Sequence, residues 1–340
     1  MEAMSMSKFR ILLLSQLMGL TLFSCGSLFG RVDFSSNVLI YQAPQNTNRP
    51  TLDESERQAI NDAYRRFEES GGHDSSNSLF CPLSSAIANE LSRGKYSFVK
   101  AITDKFNVSI GDAAFLKTKN AMAYPEGYSL GIQTKRELYE HGVSVIQGSP
   151  EEVRERITDF AEGLKVDFNP GMPTSINYFA VDDSFEEPWS VMTGLFDGKE
   201  VSFMTDVRQM SYEESEKGYT VSFGLQNTLM TVAWPKEGHQ LGELSMDDLF
   251  KTNKTPANIY FHIPQFKIQS KLSNSTGSFE ERQAAEFELD PKGARGRAVT
   301  ANYPTSSNPY PDLQLCVDRP FYFAYTYQGA PLFVGSVVTI

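Results

Sequence analysis

Two segments at the end of this chain constrain its fold more than any others. Phe321–Tyr327 and Leu332–Ile340 are apolar on nearly every residue, with Gln328-Gly329-Ala330 between them. A strand wetted on one face alternates apolar and polar residues, whereas a run apolar on both parities has to be covered on both faces. The pair therefore reads as a hairpin inside a large core. A chain of 340 residues can build one, since about three quarters of the unfolded surface is buried at this size.

Upstream, the pattern is first helical. Thr51 with Glu54 forms a capping-box pattern, and Leu52, Ile60, Tyr64 and Phe67 mark one stripe that Gly71-Gly72 ends. Pro82–Leu91 and Phe98–Phe106 read as two shorter helices. Ser149-Pro150-Glu151-Glu152 opens another, whose stripe is Val153, Ile157, Phe160 and Leu164. From residue 174 the character changes to short strands: Ile176–Val181, Val201–Met204, Tyr219–Phe223, Leu229–Trp234, Ile259–Ile263, Phe266–Ile268, Phe287–Leu289 and Leu313–Val317. Helices first and strands later predict an α+β fold. One stretch has neither period. Between Leu289 and Leu313 the chain runs through Asp290-Pro291-Lys292-Gly293 and a series of Ala, Arg, Gly and Thr to Pro304, Pro309 and Pro311. A structureless run of this length inside a compact domain is either functional or disordered.

At the front, Lys8 and Arg10 precede the apolar run Ile11–Phe23, and small Ser24, Cys25 and Gly26 follow. Residues 1–26 read as a secretory signal, too short to span a bilayer, which takes about twenty apolar residues. Leu22-Phe23-Ser24-Cys25 also fits a lipobox in which Cys25 carries a lipid. Secretion is the expectation, with a lipid anchor on Cys25, and hence a membrane partner, as the alternative. Residues 27–50 look like an extended lead-in and residues 51–340 like one domain. Sequons at Asn107, Asn253 and Asn274 are compatible with export.

Thirty-one Lys and Arg stand against 42 Asp and Glu, a net charge of -11, with no basic stripe. Nucleic acid and heparin are therefore not expected as partners. None of the three cysteines stands in a CxxC pair and the four histidines are scattered, so no metal or cofactor is expected. Cys81 and Cys316 lie in apolar runs and read as buried free thiols. Gly127-Tyr128-Ser129-Leu130-Gly131 matches a GxSxG elbow, with His141, His239 and His262 downstream. An elbow needs a buried strand before the serine and a helix after it. Tyr124-Pro125-Glu126 precedes it here with no α/β alternation around it, so the match is attributed to chance. Adjacent Glu151 and Glu152 are read as a helix N-terminus, and Glu186 and Glu187 as a solvated turn.

Several blocks carry a family resemblance. Asp318-Arg319-Pro320-Phe321-Tyr322-Phe323, followed by Pro331-Leu332-Phe333-Val334-Gly335-Ser336-Val337, resembles the terminal strand pair of the serpins. Asn77-Ser78-Leu79-Phe80-Cys81-Pro82-Leu83-Ser84 is similar to their early buried strand leading into a helix, and Asn177-Tyr178-Phe179-Ala180-Val181 to a strand of their central sheet. Val201–Met204, Trp234–Gly238 and Ile263–Ile268 fall in the family's order between these. The resemblance implies N-terminal helices packed on a large central mixed sheet with smaller sheets, and an exposed reactive-centre-like loop at about residues 290–312.

The chain also departs from the family. It lacks a long stretch between Gly94 and Ala113, where serpins carry a helix often used to bind glycosaminoglycans, and a second stretch after Leu272. The tryptophan at the top of the central sheet appears as Phe185, with Trp189 nearby. The buried polar cluster under the sheet would be Ser84, Asn177 and Gln283, and Pro291 replaces the glutamate before the loop.

The resemblance implies a monomeric inhibitor of serine endopeptidases, with cysteine endopeptidases as the alternative target class, rather than an enzyme. The protease cuts the loop, which then enters the central sheet as a new strand and traps the acyl-enzyme. Side chains alternate along a strand, so one set must be small enough to enter the core. Counting from Gly293 as the hinge, that set is Ala294, Gly296, Ala298 and Thr300; a slip of one residue would bury Arg295 and Arg297 instead. The family's loop length places the cut bond at Ser307–Asn308. No Lys or Arg lies between Arg297 and Arg319, and Tyr303 and Tyr310 each precede Pro, so the expected target is elastase-like or subtilisin-like. The rival reading is a serpin-fold carrier, chaperone or binding protein that no longer inhibits, favoured by the departures just named.

Overall fold

The computed structural model describes residues 51–110, 113–276, 279–295 and 311–340. The front segments 1–26 and 27–50, with Cys25, lie outside them. In chain order the elements are α1 (Glu54–Ser70), β1 (Ser78–Phe80), α2 (Pro82–Ser92), α3 (Tyr96–Lys105), β2 (Val108–Ile110), β3 (Ala113–Pro125), α4 (Ile132–Glu140), β4 (Val143–Gly148), α5 (Pro150–Phe160) and β5 (Thr174–Ser184). There follow β6 (Ser190–Phe196), β7 (Lys199–Glu214), β8 (Gly218–Gly224), β9 (Leu229–Pro235), β10 (Thr255–Pro264), β11 (Phe266–Thr276) and β12 (Phe279–Asp290). The last are β13 (Gly293–Arg295), β14 (Leu313–Cys316), β15 (Phe321–Tyr327) and β16 (Ala330–Val337).

Among the described residues the strands form two sheets. One runs β1-β16-β15-β9-β8-β7-β10-β14 with β6 on β7; the other runs β11-β12-β13-β5-β3-β2 with β4 on β3. Both are mixed, because β10–β14 and β3–β4 are parallel pairs. The architecture is α+β, as expected.

Helix α1 starts two residues later than its pattern suggested. Asp53, not Thr51, is the cap: its carboxylate accepts the Glu56 N–H at 2.9 Å while Glu56 accepts the Asp53 N–H at 2.7 Å. Two overlapping patterns compete there, and Glu56 also pairs with Lys105 of α3, which settles the choice. The stripe Ile60, Tyr64 and Phe67 is buried as expected. Helix α5 has the expected Ser149–Glu152 capping box but stops at Phe160, short of Leu164, because Glu162 and Gly163 take positive φ.

The terminal strands β15 and β16 are buried on every residue. Their turn is Gln328-Gly329, and β16 begins at Ala330, so the hairpin is one residue tighter than its sequence suggested. Phe287 of β12 meets Phe266, Phe323 and Phe333 at ring distances of 6.0, 5.3 and 5.4 Å, locking the two sheets face to face. Gly335 lets β1 close on β16; a Cβ there would stand 2.1 Å from the Ser78 carbonyl oxygen.

The largest departure from the sequence reading is residues 108–148. Strands β2, β3 and β4 and helix α4 all precede residue 174, so the division into helices first and strands later does not hold. Ser129 in fact lies between β3 and α4 of a parallel β3–α4–β4 unit, contrary to the expected lack of α/β alternation. It is exposed, and among the described residues no histidine is hydrogen-bonded to it: His141 Nδ1 is within 2.7 Å of the Glu137 carbonyl instead. Cys81 is buried as expected, but Cys316 is exposed, because β14 is an outer strand of its sheet. No helix among the described residues is long and apolar enough to cross a membrane, and none of their His, Cys, Asp and Glu residues form a metal-binding group.

Candidate functional site

The segment following β12 turns back into the sheet. The Asp290 carboxylate accepts the N–H groups of Lys292 and Gly293 at 2.7 and 3.2 Å, closing the turn. Phe185 N–H donates to the Lys292 carbonyl and Trp189 N–H to the Pro291 carbonyl, at 2.9 and 2.8 Å. Gly293–Arg295 then lies between two strands, with Ala294 opposite both Leu289 of β12 and Asp183 of β5. Ala294 is 0% exposed. The stretch expected to be exposed from about residue 290 thus begins inside the sheet.

Because β13 separates them, β12 and β5 stand two strand spacings apart, roughly 9.5 Å. Below Arg295 no pairing joins β12 to β5 among the described residues. A cavity of about 1670 Å³ occupies this slot. Its sides are Ile176–Asp182 of β5 and Glu280–Glu286 of β12; its floor is Ser84, Ser85 and Ala88 of α2, and residues 161–169 also line it. Those floor residues are small, which leaves depth for inward side chains.

The three polar residues expected to cluster under the sheet are divided by the slot. Gln283 of β12 clasps the backbone of Cys81, its Oε1 accepting the N–H at 2.7 Å and its Nε2 donating to the carbonyl at 3.1 Å. Asn177 of β5 instead donates to Thr118 Oγ1 and Asn120 Oδ1 at 2.8 and 2.9 Å. Ser84 Oγ reaches only the Asn177 carbonyl, at 3.4 Å. Two cavity-lining atoms, Asn177 Oδ1 and Ser85 Oγ, are buried without a partner among the described residues. An acceptor left so costs about 1–3 kcal/mol. Replacing Gln283 by leucine is expected to lower stability by about 1–3 kcal/mol, since the Cys81 N–H loses its partner, while the carbonyl keeps the Ser85 N–H at 3.1 Å; the urea midpoint measures it.

At the top of the slot Phe185 and Trp189 meet at a tilt of 33° with ring centroids 4.9 Å apart, and the Arg208 guanidinium lies 5.5 Å from each ring. Beside Ala294, on β5, is a group that the sequence reading missed. Asp183 is 4% exposed and accepts from Thr228 Oγ1 at 2.6 Å, Asn227 Nδ2 at 3.0 Å and the N–H groups of Asn227 and Ser184 at 3.1 Å. Burial raises its pKa, against these donors. The available signal was its inward parity, two residues after Val181. Gly296, Ala298, Thr300, Ser307 and Asn308 lie outside the described residues.

No protein-family model matches this sequence, and no curated protein matches it closely enough to count. Solved structures do resemble it. A thermophilic serpin, Tengpin, in its native state is 16% identical, with a TM-score of 0.66 over 86% of this chain and 96% of that one. A highly specific serpin of the insect Tenebrio molitor is 16% identical, at 0.63 over 85% and 99%. Thyroxine-binding globulin in complex with thyroxine is 16% identical, at 0.63 over 84% and 98%. The chain has the serpin fold.

Proposed function

From that fold we propose that this chain is a serpin-type inhibitor of serine endopeptidases, acting as a suicide substrate. The observation that carries the reading is Ala294 seated at inward parity with an open slot beneath it. If the same register continues, Gly296 falls beside Phe287 and Val181, Ala298 beside Ala285 and Phe179, and Thr300 beside Gln283 and Asn177. All are small enough for the slot, and a hydroxyl at Thr300 could supply the hydrogen bond that Asn177 Oδ1 lacks.

In this reading the protease serine attacks the Ser307 carbonyl, the Ser307–Asn308 bond breaks, and the amine of Asn308 leaves. Residue 307 stays esterified to the protease. Strand insertion then distorts the enzyme before water releases the ester. The target is elastase-like or subtilisin-like and the inhibitor a monomer, exported by residues 1–26 or held at a membrane through Cys25. Residues 51–340 act as one domain.

Incubating residues 27–340 with elastase-like, chymotrypsin-like and subtilisin-like proteases is expected to give a denaturant-stable band at the summed mass. Ala298→Arg is expected to convert inhibitor into substrate, since an inward arginine would be buried beside Phe179 and Ala285. A variant that trapped protease as well as wild type would overturn insertion. Clean cleavage between Thr300 and Val317, with active protease surviving and no gain in melting temperature, would favour a non-inhibitory carrier or binding protein. That second reading has a fold neighbour in thyroxine-binding globulin.

A further inference from the structure

The outward face of the sheet carries its own pattern, separate from the small inward set. The pairing registers place Lys267 of β11, Glu288 of β12, Arg295 of β13 and Asp182 of β5 in one row across four adjacent strands. Their charges alternate in sign. Lys267 Nζ and Glu288 Oε2 are 3.2 Å apart, and Arg295 stands by register between two carboxylates, Glu288 and Asp182. Opposite charges directly across strands stabilise a sheet and like charges destabilise it. The next outward residue of β12 is Glu286, opposite the position that Arg297 takes if the register continues.

We infer that Asp182 and Glu288 are specificity residues of the slot: they select an entering strand that bears arginine at this position, in this register. The consequence for insertion rests on the proposed function. The row itself does not, because β13 is already paired in the intact chain. Arg295 is then matched to the slot and does not count against insertion. A strand with an acidic residue at the position of Arg295 would face two carboxylates and be rejected.

The test is a charge-swap cycle on intact residues 27–340, using Asp182→Lys, Arg295→Glu and the double variant, melted in 20 and 500 mM salt. Each single variant is expected to lower the melting temperature by about 2–4 °C in low salt, with the double variant losing clearly less than the two single losses added together, because the pair at 182 and 295 is again of opposite sign while the new carboxylate still faces Glu288. High salt should shrink all differences. Asp182→Asn, which removes charge without reversing it, should fall between wild type and Asp182→Lys. Additive single effects with no recovery in the double variant would overturn the inference. Cutting the loop after Thr300 and melting again separates the two ideas: wild type and the double variant should gain stability, and Arg295→Glu should gain less. No gain in wild type would sink the insertion reading while the intact-chain cycle still decided the row. A gain with an additive cycle would do the reverse.

Discussion

Gly293→Val is expected to detach the start of the inserted strand and abolish protease trapping. A Cβ on residue 293 would lie 2.2 Å from the Asp183 carbonyl oxygen and 2.5 Å from Ser184 Cα, backbone atoms of β5 that cannot swing aside. Its φ of +155° is also one that side chains disfavour. Holding such a residue costs roughly 1–3 kcal/mol before the clash is counted. The less costly outcome is loss of the β13–β5 hydrogen bonds. The sheet would then fall into two groups, β11–β12 and β5–β3 with β2 and β4. Hydrogen exchange at the Ala294 amide reports it directly: protection should be lost in the variant, with a lower melting temperature and protease released uninhibited. Unchanged protection at Ala294 would mean that β13 is not held as described.

Lys254→Met is expected to remove a pH dependence and to stabilise the protein at neutral pH. Lys254 is 5% exposed, and its Nζ donates to Ser222 Oγ at 2.9 Å and to the Leu249 carbonyl at 3.1 Å. Burial pulls its pKa down to about 8, although Glu213 opposes the shift. An unfolded lysine keeps its proton to about pH 10.4. Between these values the unfolded chain binds more protons than the native one, so stability rises with pH through that window. Below about pH 8 the native state carries a buried cation at a cost of about 3 kcal/mol relative to alkaline pH. Methionine fills similar volume without charge, and Ser222 keeps Thr231 as a partner at 2.8 Å. Urea unfolding at pH 7, 8.5 and 10 should show wild type gaining stability and the variant level. Parallel curves would show that Lys254 keeps an ordinary pKa.

The sequence was most legible where one period or one cap decides the outcome. The Ser149–Glu152 box closes within a single turn, and strands β15 and β16 announce their burial because no residue breaks the apolar run. Strand β3 failed that test. Its Lys117, Lys119, Asn120 and four alanines have low strand propensity, and its pairing with β2, β4 and β5 holds it extended. β12 is similar: Glu280, Glu281 and Arg282 hide a strand that hairpin pairing with β11 sustains. Cys316 was misplaced because an apolar neighbourhood in sequence does not reveal that its strand lies at a sheet's edge.

The sequence by itself determined the buried terminal hairpin and the alternation of small residues after Gly293, because each depends on neighbours a few positions apart; the α+β class held although the helices-first order behind it did not. Tertiary structure decided the rest. The slot between β5 and β12 requires two strands about a hundred residues apart to be held at a double spacing by three residues of a third. The division of the polar cluster depends on Gln283 meeting the backbone of Cys81, 202 residues away. Asp183 comes to stand beside Ala294 only when β13 pairs with β5. Such contacts follow from register between distant strands, which no local period encodes.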